Sequence, residues 1–212
     1  MSTLLLRLAG PMQSWGTDSK FDVRRTQREP SKSGVIGLVA AALGISRQDR
    51  QALAALACLR FGVRVDREGT LLRDYHTAHT EKGNAYVTNR YYLADAAFVA
   101  GLESEDGALL EKIGEALASP VFPLYLGRRS CPPTGRVFLG ITHKPLEEAL
   151  QENAPPSACR LVLDAREGEP GGLQRDVPLS FNPNRREYGF RRVFSCPLHS
   201  AAEHDPMAEL EE

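Results

Sequence analysis

The first alternation of hydrophobic and polar residues along the chain lies at its amino terminus and predicts a β-strand. Residues 3–9 place three leucines on one side, and successive side chains of a strand point to opposite faces. After a polar loop, residues 35–43 are apolar on nearly every side, which predicts a buried helix. Ser31 and Ser33, just before this stretch, are typical helix-capping residues. The chain therefore begins with a strand, a loop and a buried helix.

The pattern up to residue 126 continues in a βαββαβ order. It predicts, in turn, a helical stretch capped near 46–49, a strand at 60–66, a strand at 91–101, a helix at 109–117 and a strand at 121–126. Residues 69–90, between the second and third strands, are polar and turn-rich, which favours a hairpin insertion that reverses near 82–84. This order is that of the α+β fold called ferredoxin-like or RRM-like.

Beyond residue 127 the hydrophobic pattern weakens but still favours strands. Candidate strands lie at 137–142, 160–164, 174–179 and 190–194, with a short helix near 146–152. We therefore expect a ferredoxin-like domain at 1–127 and a smaller β-rich carboxy-terminal region at 128–200. Residues 201–212 are acidic and have no apolar pattern, which predicts a disordered tail.

The size and composition of the chain are those of a globular protein that needs no covalent or metal staple. Its 212 residues are 42% hydrophobic and 25% charged, close to the average for soluble domains. The longest charge-free apolar stretch, at 34–45, is shorter than the roughly 20 residues of a membrane-spanning helix. The amino terminus also has no basic lead-in typical of an export signal. We therefore expect a cytoplasmic protein without a membrane partner.

The four cysteines point away from both disulfide and zinc frameworks. Cys58, Cys131, Cys159 and Cys196 stand singly along the chain, without a CxxC pair. Both frameworks rely on closely paired spacings, whereas single cysteines are usually buried thiols. We expect four reduced cysteines.

The net charge of −1 hides an uneven distribution of charge. The last ten residues contain five acidic and no basic side chains, so residues 1–202 carry a net charge of +4. The basic residues are clustered around 24–32, 128–136 and 185–192. Clustered positive charge favours a polyanion, whose binding releases counterions, although it is equally typical of a solvated face or of structural ion pairs. Nucleic acid is therefore a candidate partner.

Few residue patterns in the chain support catalysis. The sequence has no GxxxxGK[ST] phosphate loop, no GxSxG elbow and no HExxH metal motif. A lone pair such as His76 and His79 is weak evidence for a metal site, so we expect no metal and no cofactor. A metal-independent endoribonuclease remains open, in which Tyr75 or His76 takes a proton from a ribose 2′-hydroxyl and Lys82 stabilises the phosphorane. Alternatively, Tyr75 and His76 only form hydrogen bonds at the base of the insertion.

Two segments have the residue types of phosphate-binding sites. Residues 31–34 would place a hydroxyl, a lysine and free backbone N–H groups at a helix amino terminus, where the helix dipole favours an anion. Residues 127–130 (GRRS) add two guanidinium groups, whose planar forks suit phosphate oxygens. The alternatives are a simple helix cap for the first segment and a solvated loop for the second. Trp15 would either stack on a base or fill the core.

Five sequence blocks occur in an order that is specific, although each block is modest alone. They are 10–16 (GPMQSWG), 30–45 (beginning PSKSGVIGL), 74–77 (DYHT), 92–96 (YLADA) and 125–132 (YLGRRSCP). With this combination, which spans residues 4–140, the chain resembles the CasD family. CasD proteins are subunits of the type I-E CRISPR surveillance complex, Cascade, and belong to the RAMP superfamily.

The resemblance implies a ferredoxin-like RAMP fold whose insertion protrudes as a thumb. It also implies a role in antiviral defence, in which the subunit binds and caps the 5′ handle of the CRISPR RNA. The implied protein partners are the backbone subunit CasC and the large subunit CasA, and target DNA is reached indirectly through the complex. A different subunit, CasE, cuts the repeat RNA in this subtype, which implies a non-catalytic protein, although a related branch of the family does cleave the repeat.

The basic loops and the resemblance together give a hypothesis for the RNA-binding residues. The loops at 24–33 and 128–130 would hold the phosphates and sugars of the 5′ handle, and the thumb at about 69–90 would pack over a neighbouring subunit. The residues expected to contact RNA are Gln13, Trp15, Arg24, Arg25, Arg28, Ser31, Lys32, Ser33, Gly34, Tyr75, His76, Gly127, Arg128, Arg129 and Ser130.

Overall fold

The computed structural model describes residues 1–16, 23–79, 85–182 and 185–198. Its strands are β1 (Ser2–Ala9), β2 (Met12–Gln13), β3 (Val23–Arg24), β4 (Arg60–Arg67), β5 (Thr70–His79), β6 (Ala85–Ala94), β7 (Ala97–Ser104), β8 (Phe138–Thr142), β9 (Arg160–Asp164), β10 (Gly172–Ser180) and β11 (Glu187–Pro197). Its helices are α1 (Lys32–Ala42), α2 (Arg50–Ala57), α3 (Gly107–Ala118) and α4 (Leu146–Gln151). The protein is a mixed α/β structure with two largely antiparallel sheets.

The larger sheet has seven strands in the order β10-β11-β9-β4-β7-β1-β8, and every neighbouring pair in it is antiparallel. Helices α1 and α2 connect β1 to β4, and α3 lies between β7 and β8 along the chain. The alternation of β1 assigns its two faces: Leu4, Leu6 and Leu8 belong to the main core, whereas Leu5 packs on a smaller cluster with α4. None of the helices within the described ranges is long and apolar enough to cross a membrane.

The smaller sheet is built around β6. Strand β5 pairs with β6 in an antiparallel register that runs from Thr70 opposite Ala94 to His79 opposite Ala85. The other edge of β6 pairs with β2 and, in parallel, with β3. The predicted reversal near 82–84 lies outside the described residues.

One predicted strand is divided in two, and another is wrong. The expected strand at 91–101 is divided between β6 and β7, because Asp95 adopts a positive φ of 55° and ends the first of them. The expected strand at 121–126 contains Pro123 and forms bends, and the backbone N–H of Val121 donates to the carbonyl of Ala42 at the end of α1. Proline cannot donate to a strand ladder, so β8 takes the sheet edge beside β1.

The sheet also connects the two regions that the sequence analysis separates at residue 127. Strand β8 pairs with β1, and β9 pairs with β4, so strands from both sides of position 127 share one hydrogen-bonded sheet. A small hydrophobic cluster seals the α4 side of this junction, formed by Val99, Leu146, Leu150, Leu161 and Leu163. The division of the chain into two domains at residue 127 therefore stays a prediction, since strands from both sides of this position form one continuous sheet.

A buried network of four charged side chains ties α1 to the carboxy-terminal strands. The Lys32 ammonium lies 3.0 Å from Asp164, and the Arg191 guanidinium lies 2.5 Å from Asp164 and 2.6 Å from Asp176. Asp176 also accepts a hydrogen bond of 2.8 Å from the backbone N–H of Lys32, at the start of α1. Its carboxylate therefore supplies the negative charge that the helix dipole favours at this end.

Buried charges stabilise a fold only when all of them are paired, because the loss of water is costly for each ion. Asp164 meets this condition with a third contact, since it accepts a hydrogen bond of 2.9 Å from the backbone N–H of Phe61. Burial lowers the pKa of Arg191, but its hydrogen bonds and proximity to Asp176 and Asp164 outweigh burial and leave the pKa raised. Arg191 also lies over the Phe61 ring, 5.1 Å from its centroid.

We predict that Asp176→Ala destabilises the protein by about 3–5 kcal/mol, because Lys32 and Arg191 then share Asp164 as their one buried anion and the start of α1 loses its carboxylate. Urea unfolding monitored by circular dichroism measures this loss. Glu152→Ala, which removes an exposed ion pair with Lys144, is the control and should cost less than about 1 kcal/mol. Equal losses in the two variants would contradict the assigned role of Asp176.

Candidate nucleic-acid interface

Arg128 connects two basic loops that are distant in the sequence. Its Nη2 atom donates hydrogen bonds to the carbonyl oxygen of Arg24 at 2.8 Å and of Arg25 at 3.4 Å. Its guanidinium carbon lies 4.7 Å from the centroid of the Tyr92 ring, a cation–π contact that fixes the plane of the group. The loops around residues 24 and 128 therefore lie side by side, as the hypothesis requires.

Gly127 holds the second loop close to the amino-terminal segment. Its φ is +87°, and a Cβ atom at this position would lie 1.7 Å from the carbonyl oxygen of Ser14. Only glycine combines this positive φ with so close an approach to another backbone segment.

The Cys131 thiol follows this loop and is buried. Burial raises its pKa despite the neighbouring Ser130 and Arg128, so the thiol stays protonated near neutral pH.

Five arginines at these loops form what we call the arginine surface: Arg24, Arg25, Arg28, Arg128 and Arg129. Arg24, Arg25, Arg28 and Arg129 are exposed, and Arg128 is half-buried. Ser130, beside them, is also exposed. Among the described residues, none of these five arginines forms an ion pair with an acidic side chain. Within the described ranges, the arginine surface therefore carries positive charge that no ion pair compensates.

Sequence reasoning missed Arg90, which lies next to this surface. In the strand register Arg90 stands opposite Asp74 of β5 and beside Arg24 of β3, so these side chains share one face of the smaller sheet with Tyr92. Within the described part of the chain, Nε of Arg90 and Nη1 of Arg128 are buried without a hydrogen-bond partner. The two-residue spacing of Arg90 and Tyr92 on a strand was the available signal.

The start of α1 does not belong to the exposed surface, which corrects one group of predictions. Ser31, Lys32 and Ser33 are buried, and the Ser31 hydroxyl caps the helix by accepting a hydrogen bond from the backbone N–H of Gly34. The Asp176 carboxylate already occupies the anion-favouring position. The segment 31–34 therefore has a structural role, which was the alternative interpretation.

Gln13 and Trp15 are also structural. Trp15 is only 1% exposed, and its indole N–H donates to the side-chain oxygen of Gln13 at 3.0 Å. The amide nitrogen of Gln13 donates in turn to the carbonyls of Leu8 and Ala96. A Cβ atom at Gly34 would lie 2.7 Å from the Trp15 ring, which shows how closely α1 covers the indole. No ring face of Trp15 is left for a base, so that prediction is corrected.

Tyr75 and His76 are exposed on β5 but do not form one catalytic group. Adjacent residues of a strand point to opposite faces, so the two side chains face opposite sides of the smaller sheet. His79, three positions from His76, likewise lies on the opposite face from it, and the described residues contain no group of three His, Cys, Asp or Glu side chains that suits a metal ion. Lys82 lies outside the described residues.

Two arginines of the third basic cluster pair with acidic side chains. Arg191 forms ion pairs with Asp164 and Asp176 in the buried charge network, and Arg185 pairs with Glu187 at 2.8 Å. Arg186 and Arg192 are exposed. The structure therefore brings together two of the three clusters that the sequence identifies.

Comparison with known proteins places the chain among CRISPR-associated proteins. Residues 3–194 match the family described as CRISPR-associated protein (Cas_Cas5), and the chain belongs to this family. It is 40% identical over 158 residues to the CRISPR system Cascade subunit CasD of Escherichia coli (strain K12), over 66% of this chain and 70% of that protein. The resemblance to the CasD family is therefore confirmed.

Two solved structures share the fold of the chain. One, described as crystal structure of Cas protein, is 45% identical, covers 92% of this chain and 94% of that chain, and has a TM-score of 0.74. The other, described as CRISPR RNA-guided surveillance complex, is 33% identical, covers 98% and 97%, and has a TM-score of 0.77. The mixed α/β architecture is thus common to this chain and to a subunit of such a complex.

We predict that Gly127→Ala is much more disruptive than Gly168→Ala. Both glycines have a positive φ, but a Cβ atom at Gly168 meets nothing within 4 Å. The control substitution should therefore cost only about 1 kcal/mol, the backbone penalty alone. Thermal unfolding gives the two losses. If they are equal, the contact between Gly127 and Ser14 does not fix the loop.

Proposed function

We propose that the chain is the Cascade subunit that binds and caps the 5′ handle of the CRISPR RNA. The observation that carries this proposal is the arginine surface, where Arg128 joins two basic loops and no acidic side chain of the described residues forms an ion pair with their arginines. The family membership and the similarity to a CRISPR RNA-guided surveillance complex support RNA as the polyanion. The complex would contribute to antiviral defence, and this chain would contact target DNA only indirectly, through the other subunits.

The chemistry of the arginine surface suits the positioning of RNA. Planar guanidinium groups bind phosphate oxygens with two parallel hydrogen bonds, and phosphate contacts fix position without reading sequence. The exposed Arg24, Arg25, Arg28 and Arg129 would follow the phosphates, and Gly127 and Ser130 would allow the backbone of their loop to approach.

We further propose that the strands β4-β7-β1-β8 are the ferredoxin-like core of a RAMP fold. Their order along the sheet, together with the helices that connect them, supports this assignment. The ribbon of β5 and β6 would be the thumb. An isolated ribbon cannot bury its large apolar side chains, and the exposed ones here are Leu71, Leu72, Tyr75, Tyr86 and Val87. Exposed apolar side chains of this kind suit docking on the backbone subunit CasC, with the large subunit CasA nearby.

We propose a non-catalytic role for the chain. Proton abstraction from a ribose hydroxyl needs a base held against the phosphate, and Tyr75 and His76 face opposite sides of β5, so they do not act as a pair. His76 shares its face with Arg90, and this placement is what keeps the metal-independent endoribonuclease as the second candidate.

We expect purified protein to leave repeat RNA intact in EDTA over several hours, because Tyr75 and His76 face opposite sides of β5 and cannot act together on one phosphate. Gel analysis of end-labelled RNA measures cleavage. Cleavage that disappears in His76→Ala but persists in Tyr75→Phe would establish the endoribonuclease instead.

We predict that Arg25→Ala combined with Arg129→Ala weakens binding of a single-stranded RNA carrying the 5′ handle. Loss of two phosphate contacts should lower the slope of log K against log salt by about 1.4, or about 0.7 per contact on a single strand. Fluorescence anisotropy across a salt series measures both the affinity and the slope.

The matched control is Arg47→Ala combined with Arg166→Ala, which removes the same charge from two exposed positions elsewhere. The control should keep the wild-type slope. A slope that falls equally in both double variants would show that overall charge, and not the arginine surface, binds the RNA.

A further inference from the structure

The last two strands carry an exposed aromatic and basic cluster that the function above does not use. In the antiparallel register of β10 and β11, Leu173 stands opposite Arg192, and Arg175 stands opposite Phe190. Directly opposed residues, and residues two apart on one strand, share a face of the sheet. These four side chains therefore lie together, and we call them the β10–β11 patch. Leu173 is 71% exposed and Phe190 is 65% exposed, and both arginines are exposed.

Within the patch, Arg175 is oriented over the aromatic ring. Its guanidinium carbon lies 6.0 Å from the centroid of the Phe190 ring, a cation–π contact. Its Nε atom donates a hydrogen bond of 3.4 Å to the carbonyl oxygen of Tyr188. Phe190 keeps its large exposure despite the contact with Arg175. The ring is therefore accessible to a flat ligand.

The charge of the β10–β11 patch is positive. In the part of the chain that the structure describes, neither Arg175 nor Arg192 forms an ion pair with an acidic side chain. The two acids of these strands are paired elsewhere, Asp176 in the buried charge network and Glu187 with arginines of its own loop and of α2. The loop at 165–171 adds two acids and one arginine outside the strands. The patch therefore favours an anionic ligand.

The β10–β11 patch is distant from the loop that carries Arg28. Arg160 forms an ion pair with Glu29, the neighbour of Arg28, and stands opposite Pro197 of β11. Phe190 lies seven positions before Pro197 on the same strand, which corresponds to about 23 Å of strand. The patch and this loop of the arginine surface are therefore separated by more than the length of any side chain.

Single-stranded nucleic acid matches the chemistry of the patch. Its bases stack on aromatic rings, and its phosphates bind arginine. Arg192 follows Phe190 by two residues, about 7 Å along the strand, and Arg175 lies across from the ring. Arginines therefore flank the ring along the strand and across the sheet. An apolar protein surface would supply no anion for them, whereas every nucleotide supplies both a flat base and a phosphate.

We propose that the β10–β11 patch is a second nucleic-acid site, which stacks a base of a single strand on Phe190 and binds its phosphates through Arg175 and Arg192. Stacking and phosphate contacts do not read base sequence, so the site accepts strands of any sequence. It uses no residue of the arginine surface, and the proposal therefore does not rest on the function proposed above.

The stacking is tested on the full-length chain by fluorescence. Phe190→Trp introduces an exposed indole whose emission a stacked base quenches, whereas the native Trp15 is buried. We expect short single strands of uridine and of deoxyuridine to quench this variant at low salt. The matched control is Leu139→Trp, because Leu139 is 51% exposed on β8, at the opposite edge of the same sheet. Equal quenching in the two variants, or none in Phe190→Trp, would overturn the proposal.

The comparison of the two strands identifies the source of the ligand, because they differ only in the ribose 2′-hydroxyl. The proposed contacts do not involve this hydroxyl, so we expect both strands to bind. Tighter binding of the uridine strand would support the site as one for RNA, and tighter binding of the deoxyuridine strand would support it as one for DNA.

Affinity measurements separate the roles of the ring and of the arginines. Phe190→Tyr keeps an aromatic ring, whereas Phe190→Leu keeps only an apolar side chain. Loss of one stacked base should weaken binding about fivefold or more in Phe190→Leu, with little change in Phe190→Tyr. Arg175→Ala combined with Arg192→Ala should lower the slope of log K against log salt by about 1.4, for two phosphate contacts on a single strand. Equal affinities of Phe190→Leu and Phe190→Tyr would contradict stacking.

The background of Arg25→Ala with Arg129→Ala distinguishes this site from the arginine surface. Quenching in Phe190→Trp should persist in this background, because the patch shares no residue with that surface. If the quenching disappears, the patch is not a site of its own and the proposal fails. If the quenching persists while the same two arginines leave handle binding unchanged, the function proposed for the arginine surface fails and the second site stands.

Discussion

The buried charge network of Lys32, Asp164, Asp176 and Arg191 is the constraint on which the arrangement of the protein depends. Two acids and two bases compensate each other across α1, β9, β10 and β11, and Asp176 also satisfies the start of α1. The network connects the amino-terminal helix to the last strands of the same sheet. It also decides which positive charges remain available, because the lysine and arginine inside it are already neutralised.

The charges outside the network define the interface. Arg128 is held by Tyr92 and by the carbonyls of Arg24 and Arg25, so its role is partly to bring two loops together. Gly127 makes this possible by its close approach to Ser14. The thumb and the handle site that we propose then fit one arrangement, in which the exposed arginines bind RNA and the apolar side chains of β5 and β6 contact a protein partner.

Much of the fold follows from the sequence, and the failures have identifiable physical causes. The alternation of β1 and the apolar length of α1 predicted both elements, because local patterns encode burial. The strand predicted at 121–126 does not form, because its apolar pattern is typical of a strand but its proline cannot donate a backbone hydrogen bond to a neighbouring strand. At the site, the predicted RNA contacts of Lys32 and Trp15 failed because residue type does not reveal burial. Their partners in the fold, Asp176 for Lys32 and Gly34 for Trp15, are known only from the tertiary structure. Arg128 was predicted from its loop, whereas its contact with Tyr92 required the fold.

The most direct test of the central claim is a photo-crosslink from the 5′ end of the CRISPR RNA in the assembled complex. A photoreactive nucleotide placed within the 5′ handle is irradiated, and the attached peptides of this chain are mapped by mass spectrometry. The account predicts crosslinks within 24–28 and 127–130. Crosslinks concentrated within 185–192, with none at the arginine surface, would contradict it.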